Sequence, residues 1–235
     1  MAADPAPEAA AAWFAEAFET GNSLAPLPDG LAPRDREGAE AIAAATLEAL
    51  GIVPCGLRLL RRAGAATLAG PMLEARLLAS GATVSLAAAR HAAATAAVIG
   101  ELAAPLDPAA RTAPRFARLF PAVDVVASRF TAAPADDLAR IADLAGLGFV
   151  VAGKGQALRP GLLEVVLAPK GSRRRAEAMD LRPAFAEAAA EARRWGGLPK
   201  GALLVVAGLT PPLPAEGVLR ARLGALGAAE AAFTS

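Results

Sequence analysis

The sequence has one cysteine, one histidine and almost no net charge, and each shortage removes a class of function. Cys55 alone cannot form an intrachain disulfide, which suits a reducing, cytoplasmic compartment. It precedes Gly56 at the head of an apolar run and reads as a buried thiol. With His91 as the only imidazole, a zinc site of ordinary Cys/His spacing cannot be assembled. The 24 basic and 23 acidic residues leave a net charge of +1, so there is neither a basic field for nucleic acid nor an acidic tail. The densest cluster, Arg173, Arg174 and Arg175, reads as a solvated loop, with an anionic head group as the functional alternative.

Several motifs are also missing. No G-x-G-x-x-G follows a strand, and there is neither a Walker-type loop nor a Gly-x-Ser-x-Gly turn, so no dinucleotide, nucleoside triphosphate or serine nucleophile is indicated. Gly153-Lys154-Gly155 reads as a turn, with phosphate or carboxylate binding as the alternative. No apolar run reaches the length of a membrane span. The alanine-rich opening MAADPAPEAAAAWF has no positive n-region and is interrupted by Asp4 and Glu8, so no signal peptide is expected.

What is present is sufficient for one sizeable core, and a single domain is expected over residues 1–235, with 1–33 as a helix and connector. Helical spacing over 8–19 bunches Trp13, Phe14 and Phe18 on one face. A proline-rich connector follows at 23–33, then a helix capped by Asp35, running to about Leu50 and closed by Gly51. The period then shifts toward two. Strands are predicted at 56–61, 67–70, 74–78 and 83–86, while 87–95 is ambiguous between helix and strand. A helical turn is predicted at 115–119 and a helix at 136–144. Further strands are predicted at 149–152 and 162–168, a helix at 183–195, and strands at 202–207, 218–223 and 230–233. The sum is α+β: N-terminal helices followed by a curled mixed sheet or β-roll.

Two stretches stand out, 96–104 (AAVIGELAA) and 121–130 (PAVDVVASRF). Each is an apolar, strand-like run carrying one acid, Glu101 and Asp124 respectively. A carboxylate in such a strand needs a partner, because burying an unpaired charge is costly. If the two acids meet, a hard divalent cation is one such partner. Ordinary structural acids, or acids at strand ends, are the alternative.

Taken in order, DREGAEAIAAATLEALG, CGLRLL, SGATVSLA, AAVIGELAAPL, PAVDVVASRF, ADLAGLGFVVAG and LPKGALLVVAGLT resemble segments of the fumarylacetoacetate hydrolase-like superfamily, and within it the 2-keto-4-pentenoate hydratase branch. The resemblance runs from about residue 24 to 233. It implies a fumarylacetoacetase C-terminal-like fold, a hydratase or lyase acting on a small 2-keto or 2-enol acid, bound Mg²⁺ or Mn²⁺, and a homo-oligomer.

In that family a motif I-E-x-E-I-A supplies two glutamates and P-A-x-E-x-x-x-S-R a third acid. The resemblance places Glu101 at the second glutamate, Asp124 at the third acid and Ser128-Arg129 at the S-R pair, with Ile99 at the first glutamate's position. Arg58 stands where the family has lysine in G-x-K-[IV]-G. Ala142-Asp143 matches an A-D-N motif whose Asn is Leu144. The family's G-H-P is absent, and Asp180-Leu181-Arg182-Pro183 stands in its region. The implied site therefore has Glu101 and Asp124 on the metal, Arg58, Ser128 and Arg129 on the substrate, and Arg58 and Asp143 in catalysis.

Three readings follow: a divergent lyase with a weakened Mg²⁺ site, a degenerate member that binds a small acid or serves in a protein complex, and a metal-free enzyme using Arg58, Asp143 and water. The first expects the carboxyl groups of Glu101 and Asp124 to meet at the mouth of the sheet. It also expects Ile99→Glu to strengthen metal binding.

Overall fold

The computed structural model describes residues 7–134 and 136–234. Helix α1 (Pro7–Thr20) buries Ala10, Phe14 and Ala17, whereas Trp13, expected on the same face, remains 42% exposed. Helix α2 (Arg36–Ala49) begins where the Asp35 side chain accepts a hydrogen bond from the Gly38 N–H at 2.8 Å. That cap satisfies one of the unpaired donors of the first turn.

The strands follow: β1 (Gly56–Leu60), β2 (Leu68–Met72), β3 (Leu77–Ala79), β4 (Thr83–Ser85), β5 (Arg90–Leu102) and β6 (Phe116–Ser128). After the short helix α3 (Asp137–Ala142) come β7 (Leu147–Ala152), β8 (Leu162–Pro169) and β9 (Glu177–Asp180). Helix α4 (Leu181–Arg194) leads into β10 (Leu203–Ala207), β11 (Leu213–Pro214), β12 (Val218–Leu223) and β13 (Ala228–Thr234). The larger sheet has the order β2-β1-β10-β5-β6-β7-β3, with β11 added to β5; the smaller is β4-β13-β12-β8-β9. The architecture is the expected α+β arrangement of helices and a curled mixed sheet.

Alternation along the strands divides the core in two. Leu204, Val206, Ala96 and Val98 face the smaller sheet and α4, joining Leu167, Leu219, Ala221 and Phe185. Val205, Ala207, Ala97 and Ile99 face the other way, against Phe14, Ile42 and Leu47 of the N-terminal helices. The period of two thus sends alternate residues of one strand into different apolar layers.

One open sequence expectation is settled here and another fails, for related reasons. Residues 87–95 were ambiguous and 115–119 read as a helical turn, yet β5 and β6 are 13-residue strands that include most of both segments. Each supplies the other's hydrogen bonds, from Ala93 opposite Val126 to Glu101 opposite Arg118 without a break in register. Long-range pairing overrides local propensity. The predicted strand at 74–78 is likewise replaced in part by a 3₁₀ turn over Glu74–Arg76.

Candidate functional site

Arg58 projects from β1 toward the layer covered by the helices. Strand β1 lies three strand spacings from β6, about 14 Å in a flat sheet. The sheet curls enough to close that distance. The Arg58 Nε donates to Asp124 Oδ1 at 2.6 Å and its Nη2 to Oδ2 at 2.7 Å, and both side chains are fully buried. This is a bidentate, charge-assisted pair, the strongest geometry available to these groups.

The remaining Arg58 nitrogen, Nη1, donates to the Ala145 carbonyl at 3.0 Å. Ala145 and Leu144 both adopt left-handed backbone conformations, with φ of 53° and 52°, which for residues other than glycine costs of order 1–3 kcal/mol each. Gly70 on β2 allows this turn to approach, since a Cβ there would lie 2.7 Å from the Ala145 Cβ.

The same turn carries Asp143, which is buried and faces the end of β6. Its Oδ1 accepts from Arg129 Nη1 at 2.6 Å, while Oδ2 accepts from Ser128 Oγ at 2.9 Å and from the Arg129 N–H at 3.0 Å. Arg129 Nη2 donates onward to the Leu147 carbonyl at 2.9 Å. Asp143, Ser128 and Arg129 therefore form one network, and Arg58 with Asp124 forms another.

Glu101 belongs to neither. It sits opposite Arg118 at the far end of the β5–β6 ladder, and its Oε2 accepts from Arg118 Nε at 3.0 Å and Nη2 at 2.9 Å. The residue opposite Asp124 is Thr95. From Thr95 to Glu101 the ladder advances about 20 Å at roughly 3.3 Å per residue. The expectation that Glu101 and Asp124 meet is corrected by this register: they share a face but not a site. Ile99, opposite Phe120 and 1% exposed, belongs to the helix-side apolar layer.

The donor set does not fit a Mg²⁺ or Mn²⁺ ion held jointly by Glu101 and Asp124. A carboxylate must turn at least one oxygen to the ion, and both oxygens of Asp124 face Arg58. Thr95 offers a hydroxyl, but it accepts from the Gly208 N–H at 3.0 Å. Among the described residues no three His, Cys, Asp or Glu side chains converge as a metal cluster.

A cavity of about 260 Å³ opens where Ser128 ends β6 and Arg129 follows it. Phe18, Arg76, Ser85 and Phe149 line it alongside them, together with a run of alanines. The Arg129 guanidinium lies 3.8 Å above the Phe18 ring. Arg76 approaches the same ring at 5.1 Å and Phe149 at 4.8 Å. A larger cavity, about 530 Å³, lies between Arg115, Arg159 and Phe185; Arg182, from the segment standing in the region of the family's G-H-P, lines it, but none of the implied metal, substrate or catalytic residues does.

Sequence reasoning selected Ser128 and Arg129 but missed Phe18, Arg76 and Phe149. The available signal was Arg76 itself, a cation within the apolar run LEARLLA. Cys55 is half-buried and its Sγ lies 3.3 Å from the Met72 carbonyl; burial pushes the thiol upward, away from the reactive thiolate.

No family model matches this chain, and neither does any curated protein. Solved structures do match. The 4-oxalocrotonate decarboxylase from Pseudomonas putida G7, complexed with magnesium and adipate, superposes with a TM-score of 0.80 at 18% identity, covering 97% of each chain. A 2-hydroxyhepta-2,4-diene-1,7-dioate isomerase from Mycobacterium marinum gives 0.57 at 10% identity, over 78% of this chain and 75% of the other. The fumarylpyruvate hydrolase from Pseudomonas aeruginosa, in complex with Mn²⁺ and pyruvate, gives 0.52 at 13% identity, over 76% and 88%. The fold is that of the fumarylacetoacetate hydrolase-like enzymes. No helix is long and apolar enough to cross a membrane among the described residues.

Proposed function

We propose that this chain uses the fold of small-acid lyases to bind a small carboxylic acid without a metal on Asp124, in the cavity where Ser128 ends β6 and Arg129 follows it. The observation that carries this reading is the Arg58–Asp124 pair, which takes both oxygens of the acid that would otherwise serve an ion. Arg58 is thereby withdrawn from substrate as well, being fully buried and bonded through all three nitrogens. Arg129 and Ser128 remain at a cavity wall, fixed in place by Asp143. That leaves a positively charged, partly aromatic recess of a size for a small acid.

A second reading, a lyase acting on a 2-keto or 2-enol acid, is favoured by the coverage shared with a decarboxylase crystallised with magnesium and adipate. It requires Arg58 to release Asp124 when metal and substrate arrive. Calorimetric titration of acetate, pyruvate and adipate into the protein, once with chelator and once with Mg²⁺, separates the two. The metal-free reading expects the same affinity in both conditions. Binding that requires Mg²⁺, or Mg²⁺-dependent turnover of a keto acid, would overturn it in favour of the lyase.

A further inference from the structure

We propose that Arg76 takes the ligand's carboxylate in this cavity, and that the ligand is a small monocarboxylate with a short apolar body. The inference rests on the small-acid reading above and adds the residue and the ligand's charge.

Arg76 lies in the 3₁₀ turn before β3, half-buried, with its guanidinium beside the rings of Phe18 and Phe149. Such rings offset part of the cost of desolvating a cation. They accept none of its N–H donors in the way an oxygen does. The Arg76 side chain has no hydrogen bond and no ion pair among the described residues. Its charged form is correspondingly disfavoured: burial, and secondarily the charge of Arg129, pull its pKa down to about 10. A cation held among apolar groups without a counterion is expensive unless an anion arrives to share the site.

The cavity itself specifies the anion. Its lining includes two arginines and no acid. Arg129 is already neutralised by Asp143 at 2.6 Å, which leaves one uncompensated positive charge and hence room for one negative charge. A guanidinium matches a carboxylate through two parallel N–H donors. Beyond it the walls are Ala17, Ala87, Ala88, Ala89 and Ala127, small and apolar. The volume lies just under the usual small-molecule range of roughly 300–1,000 Å³, too small for a nucleotide or a coenzyme ester.

The test is titration of crotonate, crotonamide and fumarate, followed by NMR shifts at constant ionic strength, into the natural protein, Arg76→Met and Arg76→Gln. Arg182→Met, in the larger cavity, controls for general surface charge. Crotonate is expected to bind and crotonamide to bind at least tenfold more weakly, with both Arg76 variants losing at least tenfold and Arg182→Met unchanged. Arg76→Gln carries the comparison if Arg76→Met fails to fold. Crotonate binding that persists within threefold in a folded Arg76 variant would overturn the role of Arg76 and leave the small-acid reading standing. Fumarate binding tighter than crotonate would overturn the monocarboxylate assignment. Failure of all three compounds, and of acetate, pyruvate and adipate, to bind the natural protein would overturn both proposals.

Discussion

Arg58 and Asp124, three strands apart in the sheet, hold each other through two parallel hydrogen bonds of 2.6 and 2.7 Å with neither side chain exposed to solvent. Breaking one side of such a pair leaves a buried charge without compensation. Arg58→Met and Asp124→Leu should each destabilise the fold by about 3–5 kcal/mol. The double variant should recover most of that loss, since two apolar groups of similar volume leave no orphaned charge. Denaturant unfolding of the three variants measures the coupling.

Asp143 is tied to Ser128 and Arg129 by three hydrogen bonds of 2.6 to 3.0 Å and is buried. Asp143→Ala should cost about 3–5 kcal/mol by the same reasoning. It should also leave a second uncompensated arginine at the cavity. If the small-acid reading holds, a folded Asp143→Asn protein should bind dicarboxylates such as fumarate more tightly relative to monocarboxylates, measured by the same titration.

Ile99→Glu should not create a metal site. Its side chain would enter the layer containing Ala97, Val205 and Phe120, with Asp124 four register positions along the ladder. A carboxylate in that layer should destabilise the protein by several kcal/mol. Thermal unfolding should show the loss equally with and without millimolar Mg²⁺ or Mn²⁺.

Several paired carboxylates, Glu40, Asp137, Asp180 and Glu230, contribute to the pH dependence, and Asp137 illustrates the sign. Asp137, at the first turn of α3, accepts from Arg62 at 2.8 and 2.6 Å, and that pairing holds its carboxyl below the usual range. A carboxyl with a depressed folded pKa stabilises the protein above its unfolded value, about 4, and loses that contribution as pH falls through the folded value. Because the pair is partly exposed it is worth at most about 1 kcal/mol. Asp137→Asn should therefore be less stable than the natural protein at pH 7, with the gap closing as pH falls below the unfolded carboxyl's value in urea unfolding.

The sequence reveals that Glu101 and Asp124 both lie in strands, but not how far apart the strands place them. Register is a property of the pair, and either acid alone says nothing about it. The deciding residues were Phe116 to Leu119, whose alternation continues β6 and sets Arg118 opposite Glu101. Reading them as a helical turn hid the offset. Ser128, Arg129 and Asp143 were named only through the resemblance, by the S-R pair and the A-D motif, and the turn after α3 brings the three into hydrogen-bond contact. Arg76 was not named, because its significance lies in contacts with Phe18 and Phe149, each more than fifty residues away. The helices were the most legible elements, since Asp35 and Asp136 cap them as local chemistry dictates.

The most direct measurement is Mn²⁺ binding followed by electron paramagnetic resonance, on the natural protein and on Asp124→Asn. If Arg58 keeps both oxygens of Asp124, free Mn²⁺ should fall by no more in the natural protein than in the variant, and no site tighter than millimolar should appear. Stoichiometric Mn²⁺ binding in the natural protein that disappears in a folded Asp124→Asn variant would contradict the account and restore Asp124 to a metal.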